Sequence, residues 1–169
     1  MKEKLLVLIE QAISSWKEED IYAISLYVCN EEDDPYQPTV TLGYNTEKQI
    51  GESLQDASDE QEARWNYAFW IQNQELCWGR DDSAEEVKTW LFRQNLRDKD
   101  EDEVTAAFVE MLINIVKDIH ASGLLQQKFG KELPILIHEL EYYDEIARQN
   151  ILANGEELVR EFTAFCTQG

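Results

Sequence analysis

Clustered carboxylates are the residues in this sequence with the clearest chemical potential. They form two runs, Glu31–Asp34 and Asp98–Glu103, and a shorter pair at Asp81-Asp82. Oxygen ligands of this kind suit hard cations such as Ca²⁺. None of the runs has the alternating acidic spacing and the glycine that an EF-hand loop needs, so we predict neither a metal site nor a cofactor. Grouped, exposed carboxylates instead favour a surface that attracts a basic protein.

Aromatic side chains are the second group that could bind a partner. Trp65, Tyr67 and Phe69 occupy alternate positions, which predicts a strand at residues 64–71 with these rings facing inward. Trp70 breaks the alternation and is expected to face outward, where tryptophan is a common interface anchor. The residues predicted to contact a partner are therefore Glu31, Glu32, Asp33, Asp34, Trp70, Asp98, Asp100, Glu101, Asp102 and Glu103.

Histidine and cysteine form no catalytic constellation in the sequence. His120 and His138 are isolated, and we expect both to be structural or surface residues. Cys29, Cys77 and Cys166 are odd in number and widely spaced, which predicts free thiols rather than disulfides or a zinc site. The sequence also contains no GxSxG, HExxH or Walker motif. We therefore nominate no catalytic residue and no metal ligand.

The overall negative charge of the chain favours some classes of binding partner and disfavours others. The 169 residues include 35 acidic and 15 basic side chains, which gives a formal net charge of -20. A surface this negative repels nucleic-acid phosphates and anionic lipid, so we expect neither nucleic acid nor a membrane as a partner. A basic protein is the natural complement. The apolar run Leu5–Ile9 is too short for a signal peptide or a membrane span, which favours a cytoplasmic protein.

Hydropathy patterns predict ten helices and strands in the order α-β-β-α-β-α-α-β-α-α. Residues 21–29 are apolar on both faces, which indicates a central strand, and residues 39–44 alternate as its antiparallel neighbour. Thr46 and Ser83 each begin a capping box and so predict helix starts. The remaining elements are helices at about 3–17, 102–121, 142–153 and 156–167, the strand at 64–71 and a strand at 134–138.

These elements predict the fold class. Hairpin-like strands and helices follow one another without a regular βαβ rhythm, which favours α+β over α/β. We expect a mainly antiparallel sheet of about four or more strands packed against several helices. No linker or internal repeat interrupts the chain, so residues 1–169 are expected to form a single domain.

The order of several short motifs resembles a bacterial family defined by a domain of unknown function. The matching segments are Asp20–Tyr27, Tyr44–Glu47, Arg64–Trp70 and Asn150 in a closing helix, which correspond to the family's EDIYA-SLY, NTE and W-(x)4-W patterns. The resemblance implies a small cytoplasmic α+β domain and supplies no catalytic residue. Members of that family are similar to immunity proteins that neutralise polymorphic toxins and to the SUKH-like immunity group.

Three functional hypotheses follow from these patterns. The first is a binding module, of the immunity type, that occludes a basic toxin or another cationic protein. The second is an enzyme in which carboxylates remote in sequence converge on an acidic, metal-assisted site near a histidine. The third is a nucleic-acid mimic whose carboxylates are spaced like phosphates along one face. The patterns are equally compatible with a soluble regulatory or housekeeping domain whose charge only maintains solubility.

Overall fold

A long apolar strand, β1 (Ile21–Asn30), lies inside the sheet of the computed structural model, which describes residues 1–167. The described sheet has the order β3-β2-β1-β4, with β2 at Pro38–Thr46, β3 at Leu76–Trp78 and β4 at Ile135–His138. β2 pairs antiparallel with both β1 and β3, whereas β4 pairs parallel with β1. The predicted hairpin and central strand are therefore confirmed.

Helices cover both faces of this sheet, which is why β1 is apolar on both sides. The described helices are α1 (Lys2–Ser15), α2 (Glu47–Ser53), α3 (Glu60–Trp65), α4 (Ala84–Arg93), α5 (Glu101–Ser122), α6 (Leu124–Phe129), α7 (Asp144–Asn154) and α8 (Glu156–Cys166). In one core cluster, Ile24 and Leu26 pack against α1, α4, α5 and α6. In the other, Tyr22, Ala23 and Leu136 pack against α2, α3, α7 and α8.

This arrangement confirms the predicted fold class. The chain is one α+β domain with a four-stranded, mostly antiparallel sheet packed against helices. The predicted helix start at Thr46 is also confirmed, because the Thr46 hydroxyl accepts a hydrogen bond from the Gln49 main-chain N–H at 3.2 Å. The reciprocal bond of a capping box does not form, since the Gln49 side chain donates instead to Ser53 and to the Phe69 carbonyl.

The helix predicted at Ser83 does form, but its serine does not cap it. The Ser83 hydroxyl instead accepts a hydrogen bond from the Gly79 N–H and donates one to the Arg80 carbonyl.

The strand predicted at residues 64–71 is wrong. This segment contains the end of α3 and a single 3₁₀ turn at Tyr67–Phe69. Asp59 caps α3 by accepting a hydrogen bond from the Glu62 N–H, and the Asn66 side chain accepts one from the Ala68 N–H. These two polar caps favour helical turns over the extended conformation that the alternating aromatics suggested. Three short elements, α3, β3 and α6, were not predicted.

The longest helix, α5, has well-defined ends. The Asp100 side chain accepts a hydrogen bond from the Glu103 N–H at 2.9 Å, and Gly123 follows the last turn in a left-handed conformation with φ 72°. Between these ends a stripe that includes Phe108, Leu112 and Ile115 is buried against the sheet. None of the described helices, α5 included, is both long enough and apolar enough to cross a bilayer.

Two asparagines of α7 cover the outer edge of β4. The Asn150 side chain accepts a hydrogen bond from the Ile137 N–H at 2.9 Å and donates one to the Ile137 carbonyl at 2.7 Å. One helical turn later, Asn154 makes the same pair of bonds with Ile135, at 2.8 and 3.0 Å. The two side chains thus occupy the hydrogen-bonding positions of a further strand. They fix α7 in place against the sheet.

Replacing Asn150 should test whether its side chain stabilises the outer edge of β4. In Asn150→Leu the buried Ile137 N–H loses its partner, so we expect the free energy of unfolding to fall by about 2 to 4 kcal/mol. Urea denaturation followed by circular dichroism measures the change. Arg148→Ala, on the exposed side of the same helix, is the matched control and should change stability by less than about 0.5 kcal/mol. Equal stabilities for the two variants would contradict the assigned role.

Candidate functional site

A groove between α5 and α7 is the surface feature best suited to bind a ligand. Its volume is about 870 Å³. Its floor is the end of β1, from Tyr27 to Asn30, together with Glu139 and Leu140 directly after β4. The first half of α5 and the outward face of α7 form its two walls. The groove therefore depends on the parallel pairing of β1 with β4, which brings three distant parts of the chain together.

The charged residues that line the groove are all acidic. They are Glu101, Asp102, Glu110, Glu139 and Glu145. Glu145 pairs with Arg148 at 2.9 Å, whereas within residues 1–167 the other four carboxylates lie in no ion pair. Four carboxylates without a counter-charge create a negative potential along the groove. Such a potential attracts cations and basic side chains.

The same groove exposes apolar side chains. Leu140 is 65% exposed and Leu152 is 60% exposed, and both line the groove. Val109 and Ile113 contribute further apolar surface from α5, where both pack partly against the core. Single exposed leucines are common on proteins, but several in one concave acidic site suit an amphipathic ligand.

The environment of Tyr143 reflects the negative potential. Its hydroxyl donates a hydrogen bond to Glu139 Oε1 at 3.0 Å. Partial burial raises the pKa of Tyr143 to about 12, and the nearby carboxylates of Glu139, Glu145 and Asp102 add to the increase. These three carboxylates come from α5, from the segment after β4 and from α7. The Tyr143 phenol therefore lies near carboxylates from three separate parts of the groove lining.

The predicted acidic run at residues 98–103 divides into two roles. Asp100 caps α5, and Glu103 pairs with Lys99 at 2.7 Å, so both have local structural functions. Glu101 and Asp102, by contrast, line the groove. Asp98 is exposed in the loop before α5.

The other acidic run, residues 31–34, follows β1 and is also partly committed to local contacts. Glu31 forms an ion pair with Arg80. Asp34 accepts hydrogen bonds from the Tyr36 N–H at 2.9 Å and the Gln37 side chain at 3.1 Å, which lower the pKa of its carboxyl group. Glu32 is exposed, with a positive φ of 50°. The side chain of Asp33 lies outside the described part of the chain.

A hydrogen bond joins the loops that carry these two acidic runs. The Tyr36 hydroxyl donates to the Lys99 carbonyl at 2.7 Å. The two loops therefore lie side by side at the end of β1, where the groove begins. The structure thus brings together two segments that are far apart in the sequence.

The expectation that Trp70 is exposed is wrong. Trp70 is only 4% exposed, and its indole N–H donates a hydrogen bond to the Arg64 carbonyl at 2.9 Å. Its ring packs near Tyr22 and Tyr67, with ring centroids 6.0 Å away in each case. The 3₁₀ turn before Trp70 directs its side chain inward, which the predicted strand did not. Trp70 is a core residue.

His138 and Ser25 form a buried pair that the sequence did not suggest. They are 0% and 2% exposed, and Ser25 Oγ lies 2.8 Å from His138 Nε2. His138 Nδ1 lies 3.0 Å from the Glu139 carbonyl, an obligate acceptor, so Nδ1 carries the proton and Nε2 accepts from the serine. The pair resembles a nucleophile and its base in bond pattern. The groove does not reach it, because neither residue lines the groove.

Aromatic rings enclose this pair. Tyr27, Tyr67, Trp70 and Tyr142 all have ring centroids within 6.1 Å of the His138 ring. Burial in this cage lowers the pKa of His138 to about 4, although its hydrogen bond to the Glu139 carbonyl opposes the decrease. A neutral imidazole with both nitrogens satisfied stabilises the core.

The carboxylates of the groove do not converge into a metal-binding group. Among the described side chains, which do not include that of Asp33, no three of His, Cys, Asp or Glu are grouped closely enough to hold a metal ion. The three cysteines are free thiols: Cys166 is buried, and Cys29 and Cys77 are half-buried.

Most of the groove was missed by reasoning from the sequence. Glu110 and Glu139 have no acidic residue directly beside them and Glu145 has only Asp144, so no acidic run marked them. One usable signal was present on α7. Leu152 lies outside the helical stripe that includes Ile146 and Ala153, and an apolar residue off the core stripe indicates a second contact surface.

Comparisons with known proteins give no relative from which a function could be transferred. No protein-family model, curated protein or solved structure matches this chain.

The low pKa of His138 should make stability depend on pH. Below pH 6.5 the unfolded chain binds a proton at this residue, but the folded protein does not until about pH 4. The free energy of unfolding should therefore fall with decreasing pH across this window, with the unfolding constant rising up to about tenfold per unit. Urea denaturation of the wild type and His138→Gln between about pH 7 and pH 5 measures the difference, because all other groups are common to both.

Ser25→Ala provides the control for this prediction. It removes the hydrogen bond to Nε2 but leaves the histidine, so it should lower stability at pH 7 by about 1 to 3 kcal/mol and keep the steep pH dependence. Identical pH dependence in the wild type and His138→Gln would show that His138 does not titrate in this window.

Proposed function

We propose that this protein is a binding module whose acidic groove between α5 and α7 receives a basic polypeptide segment of a partner protein. The observation that carries the proposal is the composition of the groove. Five carboxylates and several exposed apolar side chains share one concave surface, and Lys, Arg and His are absent from the described residues that line it. A segment that combines lysine or arginine with apolar residues complements both properties.

The distribution of charge over the rest of the chain supports the same proposal. The formal net charge of -20 attracts a basic partner over a distance and accelerates its association. The groove supplies what a diffuse charge cannot, namely a shape and an apolar contact surface. Long-range attraction brings the partner near, and the groove then selects one segment of it.

An immunity-type role is the specific form of this proposal. A protein that occludes a basic toxin needs stoichiometric, rapid binding and no catalysis, and an acidic groove is suited to that task. The motif resemblance to immunity-type families favours a toxin over other basic partners. In this role the groove would cover a cationic surface of the toxin and keep it from its own target.

Binding should depend on both salt and the groove carboxylates. The probe is a fluorescently labelled peptide of about ten residues in which lysine and leucine alternate, here called the alternating peptide. We expect its affinity to fall about tenfold or more between about 50 and 200 mM salt, because screening weakens exposed charge pairs. Asp102→Lys with Glu110→Lys should reduce the affinity at low salt by a similar factor. Fluorescence anisotropy measures both effects.

Asp56→Lys with Glu161→Lys is the matched control. It changes the net charge by the same amount, and both residues are exposed and lie outside the groove. This control should retain most of the wild-type affinity. If the two double variants lose affinity equally, attraction is diffuse and the groove has no special role. If the wild type does not bind the alternating peptide at low salt, the proposed function is wrong.

A further inference from the structure

The last residues of β1 extend past the end of its parallel neighbour. The pairing of β1 with β4 ends where Tyr27 faces His138, whereas β1 continues to Asn30. Within residues 1–167, no strand continues β4 beside Val28–Asn30. These same residues form part of the groove floor. The sheet therefore has an open edge inside the groove.

The main-chain groups at this edge point into the groove. On the β4 side, the Ile24 N–H donates to the Pro134 carbonyl at 2.9 Å, and on the β2 side the Glu31 N–H donates to the Gln37 carbonyl at 2.9 Å. Main-chain groups alternate in direction along a strand, so the even-numbered residues of this part of β1 point away from β2. The Val28 N–H faces the His138 carbonyl at the end of β4, so the groups directed toward the open space are the Val28 carbonyl and the N–H and carbonyl of Asn30.

The open edge of β1 contrasts with the outer edge of β4, which is covered. The outer edge of β4 is covered by the side chains of Asn150 and Asn154, which bond to Ile137 and Ile135. Proteins commonly cover or block exposed edges because these edges pair with other chains. Here one edge is covered in full, and the adjacent one opens into the acidic groove.

Resting on the proposed function, we propose that the basic partner segment binds in an extended conformation and adds a strand beside Val28–Asn30, in the place where β4 would continue. Strand addition supplies affinity through main-chain hydrogen bonds and specificity through alternate side chains. The side chains of an extended segment point alternately to its two sides, so they reach both α5 and α7. In a segment that alternates lysine with apolar residues, the lysines face one wall, where Asp102 and Glu110 lie on α5, and the apolar residues face the other, where Leu152 lies on α7.

N-methylation of the alternating peptide tests strand addition. Two versions are made, one with methyl groups on the odd-numbered main-chain nitrogens and one with them on the even-numbered nitrogens. Only one set of N–H groups in an added strand faces β1. We expect one version to lose affinity about tenfold or more, because it loses the bonds that its N–H groups donate to the carbonyls of Val28 and Asn30, and the other to bind within about threefold of the parent.

The results separate this inference from the proposed function. Salt-sensitive binding of the parent peptide with equal affinities for the two methylated versions would retain the groove as a binding site and overturn strand addition. The same conclusion would follow if a helical isomer of the peptide, with identical composition, bound as tightly as the alternating one. Absence of binding by the parent peptide would overturn both proposals.

A substitution in the protein provides a second, independent test. Asn30→Pro removes the main-chain N–H that faces the groove, and the residue's φ of -97° and ψ of 132° lie near the conformation that proline favours. We expect Asn30→Pro to bind the alternating peptide about tenfold more weakly than Asn30→Ala, which removes the same side chain but keeps the N–H. Circular dichroism checks that both variants fold. Equal binding by both folded variants would contradict the assigned edge.

Discussion

The hydrogen bonds from Asn150 and Asn154 to β4 are the interaction on which the rest of the structure depends. They satisfy the outward main-chain groups of Ile137 and Ile135, which a buried edge cannot leave unpaired without a large cost. They also fix the axis of α7 along β4. Because α7 is one wall of the groove, the position of the candidate site follows from these side-chain amides. β4 ends after His138, and the open edge of β1 lies just beyond that point.

The carboxylates of the protein fall into two groups in this fold. Some carboxylates stabilise local structure, as Asp100 does at the start of α5 and Asp34 does in the turn after β1. Others, such as Asp102 and Glu110, line the groove without a basic partner among the described residues. A high net charge costs stability through repulsion between like charges. In the proposed function, the carboxylates of the groove, which repel one another in the free protein, bind the basic segment.

The sequence predicted the parts of the fold that local patterns determine. β1 and α5 have long, regular apolar patterns, and both form as predicted. The segment around Trp65 and Trp70 was mispredicted because alternating aromatics outweighed the polar caps at Asp59 and Asn66. β3 has only three residues, too few for a pattern to emerge. In the two missed segments, the local sequence signal for the observed structure was either weak or absent.

The candidate site was harder to predict because it exists only through long-range pairing. Glu101 and Asp102 were identified by their acidic run, but Glu139 and Glu145 join them only when β4 pairs parallel with β1. The same pairing brings His138 to Ser25, across 113 positions of the chain. Asn150 was noticed as part of a motif, yet its role at the edge of β4 requires knowledge of that edge. Long-range registers of this kind have no signature in a single sequence.

The central claim is that the groove, and not the acidic surface in general, receives a basic segment. Two-dimensional NMR of the ¹⁵N-labelled protein, titrated with the alternating peptide at low salt, tests it most directly. We predict that the largest amide shift changes lie at Val28–Asn30, in the first half of α5 and on the outward face of α7. Shift changes spread evenly over the exposed acids of α2 and α8, or centred on them, would contradict the account.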